Sequence, residues 1–304
     1  MRLQNLYLHT MYYILYGFLK LLSLTPLRML YFLSDFVYTL LFYVFGYRKK
    51  VVMNNLMIAF PEKTENERKE IMKQFYHNFC DNFIEMIKLM SWSTEEIKRR
   101  FTCNIEVLND LVGKEQSVQI VSGHYFNWEM ANLGLGALSK MPFVVVYMPI
   151  RNKVVNRIVY DLRSKTGVIL VAATDFQNQV KEHLKKQYAL ILVGDQNPGN
   201  PGKAYWTNFF SKPAPFVRGP EKGARRNNTV VIYADYYKVK RGYYECRFEV
   251  VTTDPNSYKE GELTRLIVNK IEHSIRQRPS NYLWSHRRWK HEWNEAYRSK
   301  WISS

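Results

Sequence analysis

Between Leu6 and Tyr47 the chain offers water almost no polar face. Met11–Leu19 and Phe36–Tyr47 are apolar or aromatic on nearly every side, whereas a helix lying on a soluble domain needs a polar stripe. Tyrosines at 7, 12, 13, 16, 31, 38, 43 and 47 match the aromatic belts of membrane interfaces. Thr25-Pro26 splits the stretch into two helices, with Thr25 as N-cap and Pro26 at the first helical position. Lys20, Arg28 and Asp35 interrupt it, so no unbroken apolar run of about 20 residues exists. Arg48-Lys49-Lys50 then places positive charge on the cytoplasmic side. Only Arg2 precedes the apolar run and no small-residue cleavage site ends it, unlike a secretory signal. Residues 1–47 are therefore expected to form a membrane anchor, part inserted and part interfacial. The competing expectation is a helical hairpin buried against the rest of the protein.

Beyond Lys50 the composition becomes that of a water-soluble domain, expected to run over residues 48–304 without repeats or linkers. Thr64-Glu65-Asn66-Glu67 and Ser93-Thr94-Glu95-Glu96 are capping boxes that open a long helix to Met90 and a short one to Phe101. Strands are expected at Ser117–Val121, Phe143–Tyr147, Val168–Val171 and Tyr188–Val193. Helices fall between them, over Asn152–Thr166 and Asp175–Lys186 among others. Two further strands, Thr229–Tyr237 and Tyr244–Val251, flank Arg241-Gly242 as a hairpin, and Lys259–Gln277 is a last amphipathic helix. Strands alternating with helices of 10–15 residues define an α/β fold with a mixed, largely parallel central sheet flanked by helices. Asp195–Pro220, rich in Gly, Pro and Asn, reads as a long ordered loop, and loops of this length are usually functional or disordered.

Cys80, Cys103 and Cys246 are odd in number and lack ligand spacing. They exclude a disulfide framework and a zinc site and fit a reducing compartment. A formal net charge of +17 implies an acidic partner, which can be nucleic acid, anionic lipid or an acidic protein.

The residues richest in chemistry are Gly123-His124-Tyr125-Phe126-Asn127-Trp128-Glu129, directly after a strand. Five residues along one helix separate two side chains by about 140°. His124 is therefore placed in the turn at the strand end and Glu129 on the first turn of the next helix. Folded back, Glu129 would bond one ring nitrogen of His124, leaving the other to take a proton from an alcohol. That is general base catalysis, suited to attack on a thioester. Seven histidines and 27 acidic residues give roughly 0.6 such spacings by chance, so the pair alone is a weak signal. The chain lacks a Gly-x-Ser-x-Gly elbow, a phosphate-binding Gly-x-x-x-x-Gly-Lys loop, a dinucleotide fingerprint and an HExxH zinc motif.

Gly123-His124…Asn127-Trp128-Glu129 resembles the HxxxxE/D motif of the late (lauroyl/myristoyl) acyltransferases of lipid A biosynthesis, and the resemblance continues in order along the chain. Tyr47-Arg48-Lys49, Asn55-Leu56 and Ala59-Phe60-Pro61-Glu62 are similar to the segment after the family's membrane helix. Pro149…Asn152 with Arg163 resembles its basic block and Asp195-Gln196 its aspartate block. Arg218-Gly219-Pro220-Glu221-Lys222 with Ala224-Arg225 resembles its site-facing loop and helix, and Pro279…Tyr282…Trp284…His286-Arg287-Arg288 its C-terminal signature. The resemblance implies transfer of a fatty acyl chain from acyl–acyl carrier protein to a hydroxyl of a lipid A precursor, with no cofactor or metal. It places the protein at the cytoplasmic face of a bacterial inner membrane. His124 would be the base and Glu129 its partner. Arg163 would stabilise the oxyanion or bind phosphate, Asp195 would orient Arg163 or the acceptor, and Asn127 and Trp128 would shape the pocket. Arg218, Lys222 and Arg225 would face the acceptor. Met148 replaces an Arg of the family pattern, and Asn197-Pro198-Gly199-Asn200 and Ala214–Arg218 also depart from it. These departures leave acyl length and acceptor position open, and admit another membrane amino- or saccharolipid as acceptor.

Two other classes compete. A nucleic-acid-binding protein would explain the charge, but the first 47 residues and the lack of recognition motifs oppose it. A membrane scaffold would leave His124 and Glu129 idle. Trp289, Trp293, Tyr297 and Trp301, four residues apart among Arg and Lys, form an aromatic stripe if helical, suited either to lipid head groups or to packing on the domain.

Overall fold

A computed structural model describes residues 2–302, with side chains from residue 8 onward. Two helices lead the chain, α1 (Arg2–Leu24) and α2 (Leu27–Thr39), and α2 runs on as a wider π turn over Leu40–Val44. Next come α3 (Lys49–Ala59), α4 (Glu65–Leu89), α5 (Thr94–Arg100), β1 (Phe101–Cys103) and α6 (Glu106–Asn109). The alternating part follows: β2 (Val118–Ser122), α7 (Trp128–Leu138), β3 (Phe143–Tyr147), α8 (Lys153–Arg163), β4 (Ile169–Ala172), α9 (Phe176–His183) and β5 (Ala189–Val193). The chain closes with β6 (Tyr205–Phe209), β7 (Lys212–Phe216), α10 (Gly219–Asn227), β8 (Val230–Lys240), β9 (Tyr243–Thr252) and α11 (Glu262–Gln277).

Seven strands form one sheet in the order β1-β9-β8-β2-β5-β3-β4. Every pairing is parallel except the β8–β9 hairpin, so the sheet is mixed and largely parallel, as the alternating pattern requires. Helices cover it, and β2 is buried at all five positions. With both faces covered there is no polar-out alternation, and the two polar side chains among Val118, Ile120 and Val121, those of Gln119 and Ser122, must bond internally. Its one amide, Gln119, is satisfied by donating to the Pro220 carbonyl at 2.8 Å. The capping box predicted at Thr64 and Glu67 is present and starts α4, the 25-residue helix that carries the N-terminal pair.

Three expectations need correction. Thr25 does not cap α2: the helix starts at Leu27 with Pro26 at its N-cap and no side-chain cap bond. Asp195–Pro220 is not loop throughout: β6 and β7 pair antiparallel within it, closed by Phe210 in the left-handed region at φ 56°. The aromatic tail is not a regular α-helix. Glu295–Lys300 is a 3-10 segment, and Tyr297 stacks on Trp206 at 4.9 Å while Trp289 stacks on Phe209 at 5.7 Å. These rings pack on the β6–β7 hairpin, and burial of their faces there outweighs the helical spacing.

The N-terminal helices are docked on the domain along one face only. Tyr31 donates to Glu85 at 2.8 Å and Ser34 to Asp81 at 2.7 Å, both on α4, and Arg241 of the β8–β9 turn pairs with Asp35. The opposite face, with Phe18, Leu21, Met29, Phe32, Phe36 and Val44, stays exposed. Leu27–Val44 is the one described helix whose length and composition suffice to cross a bilayer.

Candidate active site

The sheet itself brings the first two site residues together. Strands β2 and β5 are parallel neighbours in register, with Ser122 opposite Val193. His124 and Asp195 each lie two residues beyond that last pair, so they leave the same carboxyl edge side by side. Gly194 N–H still bonds the Ser122 carbonyl at 3.1 Å and holds the two exits together. As a result His124 Nδ1 lies 2.6 Å from Asp195 Oδ1. The carboxylate is almost sealed, at 1% exposure, while the imidazole keeps 27%.

Burial pushes the Asp195 carboxyl up, but attraction to His124, their hydrogen bond and one with Tyr282 prevail and bring it down to about 2. Asp195 is therefore ionised at neutral pH and can only accept, so Nδ1 of His124 carries the hydrogen. That leaves Nε2 unprotonated in the neutral ring. The Gln196 amide stands 3.1 Å from Nε2 and donates to it. The C-terminal segment closes over this turn, with Phe126 N–H bonding the Asn281 carbonyl at 2.9 Å and Leu283 N–H the His124 carbonyl at 3.1 Å.

Glu129 sits where the sequence put it, in the first turn of α7, but its partner is different. Arg163, the last residue of α8, clamps it through Nε at 3.2 and 2.9 Å and through Nη2 at 2.6 Å. Trp128 Nε1 adds a bond at 3.1 Å. No hydrogen bond joins Glu129 to His124, and Asp195 orients His124 rather than Arg163. The reason is local: Asn127 Oδ1 caps α7 by accepting from the N–H groups of Glu129 and Met130 at 3.0 and 3.1 Å. The helix so started aims Glu129 across to α8 instead of back to the turn. Burial disfavours the Arg163 charge, but the bonds to Glu129 outweigh it and hold its pKa above the usual value.

A family model for bacterial lipid A biosynthesis acyltransferases matches residues 1–291. The chain belongs to that family. It is 22% identical over 252 residues to the lipid A biosynthesis palmitoleoyltransferase of Escherichia coli K12, covering 80% of this chain and 79% of that one. It is 23% identical over 247 residues to the lipid A biosynthesis lauroyltransferase of the same strain, with the same coverage. A solved structure, the 1-acyl-sn-glycerophosphate acyltransferase PlsC from Thermotoga maritima, matches over 84% of this chain and 97% of its own at a TM-score of 0.38 and 12% identity, a distant likeness. The enzyme is an acyltransferase.

Around the His124 turn, further residues are held by a buried frame. Asn127 Nδ2 donates at 3.0 Å to Glu85, a fully buried carboxyl that also accepts from Tyr31, Tyr244 and Gly242 N–H. Burial pushes that carboxyl up. Trp128 is half-buried and tilted against Phe126 at 5.5 Å. No hydrogen bond or ion pair joins Arg218, Lys222 or Arg225 to His124: Arg218 pairs with Glu260, Arg225 lies 3.8 Å from Glu221, and Lys222 is exposed on α10.

No local sequence signal assigns a role to Gln196, Glu85, Tyr282, His286 or Arg288, although Gln196 stands in the aspartate block and the last three in the C-terminal signature. Arg288 is fully buried with no carboxylate in ion-pair range among the described residues. It bonds Asn197 Oδ1 at 3.1 Å and the Pro215 carbonyl at 2.8 Å, and its guanidinium lies 4.2 Å from the Phe216 ring centre. Burial lowers its pKa to about 10. His286 Nε2 accepts from Asn197 N–H at 3.3 Å, and burial lowers its pKa to about 4. Among the described residues no cluster of three or more His, Cys, Asp or Glu is placed to hold a metal ion.

Proposed function

We propose that this acyltransferase moves a fatty acyl chain from an acyl carrier protein thioester to a hydroxyl of a lipid A precursor, with His124 as general base. The acceptor oxygen attacks the thioester carbon as His124 Nε2 takes its proton. The tetrahedral intermediate then collapses, the C–S bond breaks, and the imidazolium returns the proton to sulfur. Asp195 keeps the hydrogen on Nδ1 and stabilises the imidazolium. Arg163 uses Nε and Nη2 on Glu129 and retains Nη1 for the developing oxyanion or a substrate phosphate. Glu129 thus acts through Arg163.

The reading rests on one observation above the others: a half-open imidazole backed by a sealed carboxylate at the carboxyl edge of a parallel sheet, where such folds bind ligands. We place the enzyme at the cytoplasmic face of the inner membrane. The exposed apolar face of α1 and α2 would enter the bilayer, and the +17 charge would attract anionic head groups and an acidic carrier protein.

The test is purified protein with acyl–acyl carrier protein and a lipid A precursor in mixed micelles, with products read by mass spectrometry. Wild type adds one acyl mass to the lipid. His124→Ala, folded by circular dichroism, adds none. Normal turnover by His124→Ala removes His124 as base, and no acylated lipid from wild type with any acyl chain refutes the reading.

A further inference from the structure

A general base beside an activated thioester poses a chemical problem, because water is a nucleophile too. Hydrolysis needs only that water donate to Nε2 and attack the same carbon. The C–S bond then breaks, the acid forms, and the thiol takes the proton. The His124 side chain is 27% exposed, so water is close at hand.

We propose that Gln196 is a positioning residue that caps the base and suppresses this hydrolysis until the acceptor displaces it. This rests on the assignment of His124 as general base. The Gln196 amide nitrogen, 3.1 Å from Nε2, occupies the position an attacking hydroxyl must take. The ring can accept there only one good hydrogen bond in its plane.

The surrounding contacts decide what can move. Gly194 is tied to Ser122, and Asp195 is bonded to His124. On the far side Asn197 is held through its backbone N–H by His286 Nε2. Its side chain is held by the Arg287 carbonyl at 2.6 Å and by Arg288 at 3.1 Å. The backbone is pinned on both sides of Gln196, whose half-exposed side chain is the mobile part. Rotation about its side-chain bonds frees Nε2 without moving Asp195. A water molecule has little binding energy to drive that rotation, whereas a lipid acceptor held by contacts remote from the hydroxyl has enough.

The experiment compares wild type, Gln196→Ala and Gln196→Met, the last of similar length but without an N–H. Donor hydrolysis is measured with acyl–acyl carrier protein alone, and acceptor KM and kcat with the lipid present. Loss of one neutral hydrogen bond at Nε2 should raise hydrolysis by about five- to tenfold in both variants. Acceptor KM should fall, because nothing has to be displaced. Gln196→Glu should favour the imidazolium and move the acidic limb of the kcat/KM profile to higher pH. Unchanged hydrolysis in both folded variants, or a raised acceptor KM, overturns the cap. Loss of transfer together with hydrolysis does so as well, since it would make Gln196 part of the chemistry. Wild type that transfers, with His124→Ala inactive, isolates any such failure to Gln196. Wild type that neither transfers nor hydrolyses removes the functional reading and the cap together.

Discussion

Replacing Arg163 by Met isolates the ion pair that stands where a His124–Glu129 bond was expected. Glu129 is 2% exposed and receives three hydrogen bonds from Arg163 within 3.2 Å. After the substitution only Trp128 Nε1 would still donate to it. An uncompensated buried charge of this kind costs about 3–5 kcal/mol. At about 2–4 °C per kcal/mol, extended from somewhat smaller chains, the melting temperature should fall by about 6–20 °C. Glu129→Leu strands the guanidinium and should cost less, because Arg163 is 20% exposed and can turn to water. The double variant removes both charges and should recover most of the loss, giving a coupling energy of at least about 2 kcal/mol. Thermal unfolding in detergent, followed by circular dichroism for all four proteins, measures this. Additive losses, with coupling under about 0.5 kcal/mol, would refute the pairing. Strong coupling of Glu129→Leu to His124→Ala instead would restore the arrangement read from the motif.

Asp195→Asn keeps the shape but loses the charge that fixes Nδ1–H, and kcat should fall by about 10³–10⁴-fold with little change in acceptor KM. A loss below tenfold would remove Asp195 as the partner of His124. Burial lowers His286 to about 4 in the folded protein, from the ordinary imidazole value of about 6.5 in the unfolded chain. The unfolded state therefore binds more protons in between, and stability, fully present above 6.5, declines as pH falls from 6.5 toward 4. His286→Leu should flatten that slope in denaturant titrations, and an unchanged slope would show that other groups set it. Phe32 and Phe36 are 75% and 60% exposed on α2. Phe32→Glu with Phe36→Glu should lower co-sedimentation with vesicles containing anionic lipid by about tenfold or more, and undiminished binding would move the membrane-facing surface elsewhere.

What the sequence revealed follows from how local each signal is. Helix α4 was readable because Thr64 and Glu67 lie three residues apart and bond each other's backbone. The buried strands are readable because a strand covered on both faces is short and mainly apolar, with few polar residues to satisfy. The pairing at the site was not, because it depends on sheet order. Asp195 is 71 residues from His124, and only the adjacency of β2 and β5 unites them. The order β2-β5-β3-β4 leaves no trace in any one segment. Glu129 was placed on the right turn yet given the wrong partner, since Arg163 reaches it only once α7 and α8 pack together. The β6–β7 hairpin hid among Gly, Pro and Asn that also spell a loop, and the tail aromatics kept a helical spacing that Trp206 and Phe209 override.

The carboxyl of Glu85 grips α2 through Tyr31 with one oxygen and the cap of α7 through Asn127 with the other. A truncation meant to yield a soluble fragment by removing the first 47 residues would therefore cut through a shared joint. It would take the phenol from a sealed acid, strip Ser34 from Asp81 and Asp35 from Arg241, and loosen the seat of Asn127. Surface exchanges on the outer faces of α1 and α2 would spare that joint and are the route to a tractable enzyme.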